Sequence, residues 1–154
     1  MKKLILLLSV IFASVSANAQ KIDNENVPSS VLASFKAKFP IANKVTWEMD
    51  YDKYEVEFTV SKVEFSATFD KDGKWLETET YLKITDLPKP IKESLTKKYG
   101  ELSGYKIEEG VKAEKEKETT YELEIKRGES LYELIFDENG KLLKEESKSE
   151  TKKD

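Results

Sequence analysis

The chain has 154 residues, with 26 Lys plus Arg against 30 Asp plus Glu, and it contains neither histidine nor cysteine. Those two absences remove the usual general base, the thiol nucleophile, disulfides, and most zinc, copper and haem ligand sets. The negative net charge repels a phosphate backbone, which argues against a nucleic-acid partner, and the interleaving of acids and bases otherwise reads as a solvated surface.

Met1 to Ala19 has the form of a secretory signal peptide: Lys2-Lys3 as the basic start, Leu4 to Ala13 as the apolar run, and Ala17-Asn18-Ala19 as the small-residue cleavage box. The apolar run is about half of what a bilayer crossing needs, so no membrane insertion is expected. No cysteine stands at the box to carry a lipid. Cleavage before Gln20 would leave a periplasmic protein with 24 basic and 30 acidic residues, a net charge of −6. A cysteine-free exported domain must hold together by packing alone. Residues 20–26 are expected to be a flexible N-terminus.

From Val27 the chain is written twice. Val27-Pro28, Val31, Phe35 and Phe39 recur sixty positions later as Leu87-Pro88, Ile91, Leu95 and Tyr99. Tyr54-Glu55-Val56-Glu57-Phe58 recurs at an offset of sixty-seven as Tyr121-Glu122-Leu123-Glu124-Ile125, and Phe69-Asp70-Lys71-Asp72-Gly73-Lys74 as Phe136-Asp137-Glu138-Asn139-Gly140-Lys141. A seven-residue insertion between the two registers is placed most simply within Glu109 to Thr119. The expected division is residues 27–82 and 83–146 as two repeats of one domain, followed by a disordered tail over 147–154.

Each repeat opens with a one-sided helix. Val31, Phe35 and Phe39 form the first stripe, with Pro28 at its start and Pro40 as its stop; Ile91, Leu95 and Tyr99 form the second, with Asp86 as a candidate cap and Gly100 as the terminator. Strands with period-two alternation follow: Val45, Trp47, Met49; Tyr54, Val56, Phe58, Val60; Val63, Phe65, Ala67, Phe69. Their counterparts are Tyr105, Ile107; Tyr121, Leu123, Ile125; and Tyr132, Leu134, Phe136. The Gly73 and Gly140 strings match a three-residue hairpin loop with glycine left-handed. The fold class is therefore α+β: two tandem repeats, each a helix and about four antiparallel strands, with helices on one face of the sheet and the other face open.

Catalysis is not indicated. No serine lies in a nucleophile elbow, and a pair drawn from thirty acids carries no information about glycoside chemistry. Asp70-x-Asp72-Gly73 and Asp137-x-Asn139-Gly140 invite a calcium reading but lack the spacing of an EF-type loop, so turn chemistry explains them and neither metal nor cofactor is expected. The run Lys112 to Glu118 reads as an elongated hairpin tip, and Trp47 and Trp75 as core. A three-residue loop puts Ile135 opposite Leu143 on the outer face, with Leu131 further along, and Thr68 opposite Leu76 in the first hairpin. Leu76, Leu131, Ile135 and Leu143 are thus the candidate partner-binding residues.

The signal peptide, the doubled Leu/Val-Pro helix start, the Tyr-Glu-x-Glu strand and the Phe-Asp-x-(Asp/Asn)-Gly-Lys hairpin together resemble the PepSY-like, β-lactamase-inhibitor-like family of secreted bacterial proteins, over Val27 to about Glu146. The resemblance implies two α+β repeats with a curved sheet whose exposed face grips another protein, and it implies no settled activity. The expected function is a non-enzymatic periplasmic module, an inhibitor or sensor of an envelope protein, bound to another periplasmic or secreted protein through the open face. The alternative is a carrier holding a small apolar ligand between helices and sheet.

Overall fold

The computed structural model describes residues 20–100 and 105–149. The signal segment Met1 to Ala19 lies outside the described residues. Strand β1 (Gln20–Ile22) and a 3-10 turn (Asn24–Asn26) lead into helix α1 (Ser29–Lys38), after which come β2 (Asn43–Asp50), β3 (Lys53–Val60), β4 (Val63–Asp70) and β5 (Trp75–Tyr81). A second 3-10 turn (Ile84–Asp86) and helix α2 (Lys89–Tyr99) precede β6 (Lys106–Lys115), β7 (Thr119–Arg127), β8 (Ser130–Asp137) and β9 (Leu142–Ser149). Among the described residues the strands form one nine-stranded sheet in sequence order, and every pairing is antiparallel.

Two expectations about the ends change. Residues 20–22 are not loose chain: Ile22 pairs with Trp47 and its side chain packs on the first core. Strand β9 runs to Ser149, three residues into the segment expected to be a tail, because Ser130 to Tyr132 still offer it a ladder.

The helices form where the sequence stripes place them. Val31 and Phe35 of α1 are buried against Trp47, Val56, Phe58, Ala67 and Phe69; Ile91 and Leu95 of α2 against Tyr121, Leu123, Ile125, Leu134 and Phe136. Each such side chain contributes about 1.5–3 kcal/mol by leaving water. Pro28 and Pro88 occupy the N-cap positions, while Asp86 lies in the preceding turn and caps nothing; Gly100, at φ +72°, stops α2. Phe35 makes edge contacts with Trp47 and Phe58 at 5.3 and 5.2 Å between ring centroids, so the first core is filled by aromatic rings. Trp47, 2% exposed, is core as expected, with its indole N–H left without a hydrogen-bond partner. Trp75 stands opposite Phe69, donates to Thr78 Oγ1 at 2.8 Å, and carries the Lys38 ammonium 3.8 Å from its ring centre.

Both helices lie on the same side of the sheet. Val56, Ala67, Thr78, Glu114 and Thr119 stand opposite one another through five consecutive strands, and residues opposite in register share a face. Val56 belongs to the face under α1. Thr119 shares its face with Tyr121 and Leu123, which lie under α2. The seam between the halves is the pairing of Glu77–Tyr81 with Val111–Lys115. The charged run is accordingly not all hairpin tip: Lys112 to Lys115 are interior ladder residues of β6, and the turn proper is Glu116 to Glu118, closed by Lys115 N–H to Glu118 O at 2.8 Å.

Candidate partner-binding face

The face away from the helices is built by the alternate residues of each strand. One row crosses it as Glu57, Ser66, Glu79, Ala113, Thr120 and Asp137, each opposite the next. Strands β3, β5 and β7 put glutamates there (Glu55 and Glu57, Glu77 and Glu79, Glu122 and Glu124), whereas β4 and β6 put short side chains between them (Ser66 and Thr68, Val111 and Ala113). Troughs floored by short residues and walled by carboxylates follow from that alternation. Long neighbours close over short ones, which explains why Val111, Ala113 and Ser66 are only 3%, 2% and 5% exposed although no helix covers them.

Acids crowd the face, and lysines offset them only in part. Glu48 stands opposite Glu55, Glu124 opposite Glu133, and Glu133 opposite Glu146; like charges in direct cross-strand register are unfavourable. Burial pushes the Glu79 carboxyl up to about 8, with Glu77, Glu55 and Glu122 adding to the rise and Lys115 opposing it. Glu122 is pushed up to about 7, again by burial first and then by Glu133 and Glu77, against Lys115 and Lys144. Glu55 is raised by the same desolvation, partly offset by the Ser66 hydroxyl, which donates to its Oε1 at 2.7 Å; the residue as a whole is exposed, so solvent screening leaves little energy in that shift. Lys115 lies 3.4 Å from Glu77 Oε1.

The aliphatic candidates fare differently from expectation. The three-residue loops are present: Asp70 N–H bonds Lys74 O, and Asp137 N–H bonds Lys141 O, each at 3.0 Å, with Gly73 and Gly140 at φ +85° and +80°. One residue past each loop the ladder is bulged, so Thr68 faces Glu77 rather than Leu76, and Ile135 faces Lys144 rather than Leu143. Leu76 and Leu143 are the inserted residues of the two bulges; Leu143 is 47% exposed. Ile135 does lie on the outer face, between Glu122 and Lys144, but at 6% exposure it is floor and not a protruding anchor. Leu131, opposite Lys126, is half-buried on the same face. The four aliphatics therefore do not form one patch.

The profile of a family described as "putative beta-lactamase-inhibitor-like, PepSY-like" matches residues 11–66 and 52–144. The chain belongs to that family. No curated protein matches it. Similar solved structures include a BLIP-like protein from Bacteroides fragilis, at 24% identity and a TM-score of 0.70 over 82% of this chain and 91% of that one. A DUF2874 family protein from Bacteroides ovatus gives 22% and 0.71 over 82% and 91%. A protein from Bacteroides eggerthii, described as a putative periplasmic protein, gives 16% and 0.71 over 80% and 90%. At these identities the likeness establishes the fold.

For this PepSY-like chain, the carboxylate walls were not found by sequence reasoning. The signal was present as Tyr-Glu-x-Glu in both copies, but outward glutamates in an alternating strand are ordinary surface until neighbouring strands are known to bring them together. Among the described residues no group of three or more acids is arranged to hold a metal ion. Asp70 Oδ1 accepts the Asp72 and Lys74 amides at 3.0 and 2.8 Å, and Asp137 Oδ1 accepts those of Asn139 and Lys141, both at 2.9 Å, so these aspartates are occupied in turn geometry. Among the described residues no helix is long and apolar enough to cross a membrane.

Proposed function

We propose that this protein is an exported, non-enzymatic binding module, periplasmic once residues 1–19 are removed, that holds another exported protein against the face opposite its helices. The observation that carries the reading is the face itself. It keeps short side chains at the bottom of carboxylate-walled troughs without a covering element, and it sets like charges in direct register, an arrangement that costs the free protein stability. The family's inhibitor-like description supports a protein partner, and the absence of histidine and cysteine supports a role outside catalysis.

The finer architecture belongs to the same proposal: residues 27–82 and 83–146 as duplicated units, with β1 and β5 taking equivalent places ahead of their helices. Ile22, beside Trp47, and Leu82, whose N–H bonds Gly110 O at 2.8 Å, support that equivalence, each packing on the core of the helix that follows it. A carrier of a small apolar ligand is the weaker reading, because the space between α1 and the sheet is occupied by Phe35, Phe58 and Phe69. A cleft of about 470 Å³ at the β6–β7 tip is lined by Lys115, Glu116, Lys117, Glu118, Asp137 and their neighbours, a polar lining unsuited to an apolar guest.

The test exploits the cysteine-free background. A benzophenone maleimide placed on Thr68→Cys, in the trough floor, should crosslink to a discrete partner in periplasmic extract, while the same probe on Glu93→Cys, exposed on α2, should not. Adducts from Glu93→Cys alone would place the contact on the helices and end the proposal.

A further inference from the structure

Resting on that reading, we infer that the segment seated on the open face is an extended, basic one, lying along the β6 trough with lysine or arginine at every second residue. The geometry points to it in two ways. The floor of this trough is Val111 and Ala113; Glu122 of β7 stands beside Val111 and Glu79 of β5 beside Ala113, with Glu124 and Glu77 one step beyond them at opposite ends. In each wall the carboxylates are two residues apart along a strand, a spacing of roughly 6.5–7 Å, and an extended guest repeats its side chains on one side at that same interval. A basic residue at alternate positions would therefore meet one carboxylate at each step, Glu122 beside Val111 and Glu79 beside Ala113, whereas contiguous basic residues would turn half of their charges away from the walls.

Charge complementarity also selects the class of occupant. Lys115, on the same strand as the floor, is drawn to Glu77 and stands at the end of the trough, leaving Glu122 beside Val111 and Glu79 beside Ala113 to face a guest. A basic guest would favour the anions of Glu79 and Glu122, which burial and the neighbouring glutamates disfavour in the free protein. An acidic guest, or a second copy of a chain carrying the same face, would add to it. Short floor residues, closed over by their long neighbours, leave recognition to the walls.

The probe is a fluorescent peptide of four Lys-Thr units, compared with a peptide of the same composition in which the four lysines are contiguous. Anisotropy titrations on the mature protein at about pH 8.5, where Glu79 and Glu122 are ionised, and at low ionic strength should show the alternating peptide binding tighter by about tenfold, the preference shrinking as salt screens the pairs. Glu79→Gln combined with Glu122→Gln should abolish that preference. Glu25→Gln combined with Glu93→Gln, which removes the same charge from exposed sites away from the face, should leave it intact; thermal melts confirm that both double variants are folded. Equal binding of the two peptides, or equal losses in the two double variants, would show attraction by net charge alone and overturn the inference. If crosslinking at Thr68→Cys succeeds while the alternating peptide shows no preference, the open face stands and only the basic, alternating character of its partner falls.

Discussion

Glu79 is the residue at which the cost of the open face can be read. Its folded-state carboxyl titrates near 8 because burial and the neighbouring glutamates disfavour the anion. The unfolded chain releases that proton near the ordinary glutamate value, so between about pH 4.5 and 8 the folded state binds more protons than the unfolded state and stability falls as pH rises. Glu79→Gln should therefore melt within a degree or so of the parent at pH 4.5 and about 2–5 °C above it at pH 8.5, a difference that thermal scans across pH will detect. Ile135 offers a second residue-scale test. Because it is floor on the outer face, Ile135→Glu buries an additional carboxylate beside Glu122 and should cost about 2–4 kcal/mol in denaturant melts, while Leu143→Glu, at an exposed bulge, should change stability by less than about 1 kcal/mol. Similar costs for the two would contradict the bulged register.

At the scale of elements, the hairpin turns show both what alternation makes legible and where it stops. Val31 and Phe35, Ile91 and Leu95, and the Tyr-x-Val-x-Phe pattern of β3 each fix a face without reference to anything distant, which is why helices and inner strand faces follow from the sequence. The bulges at Leu76 and Leu143 do not, because an aliphatic residue fits either phase of a strand, and one inserted residue moves everything after it to the other face. The three residues of β1 are too few to show a period, and their pairing is long-range. The glycine loops contain more than turn chemistry: a Cβ on Gly73 would come 2.6 Å from Ser30 O, and one on Gly140 would collide with the Pro90 carbonyl, so each hairpin is packed against the first turn of its helix. Gly140→Ala should thus cost more than Gly128→Ala, which shares the positive φ but meets nothing within 4 Å; we expect about 2–3 against about 1 kcal/mol by chemical denaturation. Ser61 and Lys62 turn the β3–β4 hairpin at φ +50° and +72° without a glycine, so Lys62→Gly should stabilise by up to about 1 kcal/mol.

Across the whole molecule, the two helix-covered cores lie under one face of a single sheet, and the opposite face is shared by both halves. The β5–β6 seam makes this so: Glu77 and Glu79 of the first half meet Lys115 and Ala113 of the second, and a trough bordered by carboxylates from both halves exists only where they join. That composite character explains why the site was hidden in the sequence. Each Glu-x-Glu string is an unremarkable solvated strand by itself, and the acids that matter come from strands separated by a helix and a turn. The central claim, that this face is covered in the cell, is tested most directly by comparing the maleimide labelling rates of Glu57→Cys, exposed on the open face, and Glu93→Cys, exposed on α2. Each is measured in purified protein and in intact periplasm. Coverage predicts that Glu57→Cys labels several-fold more slowly in situ than when purified, while Glu93→Cys labels alike in both. Unchanged labelling of Glu57→Cys in situ, or slowing of both positions together, would contradict it.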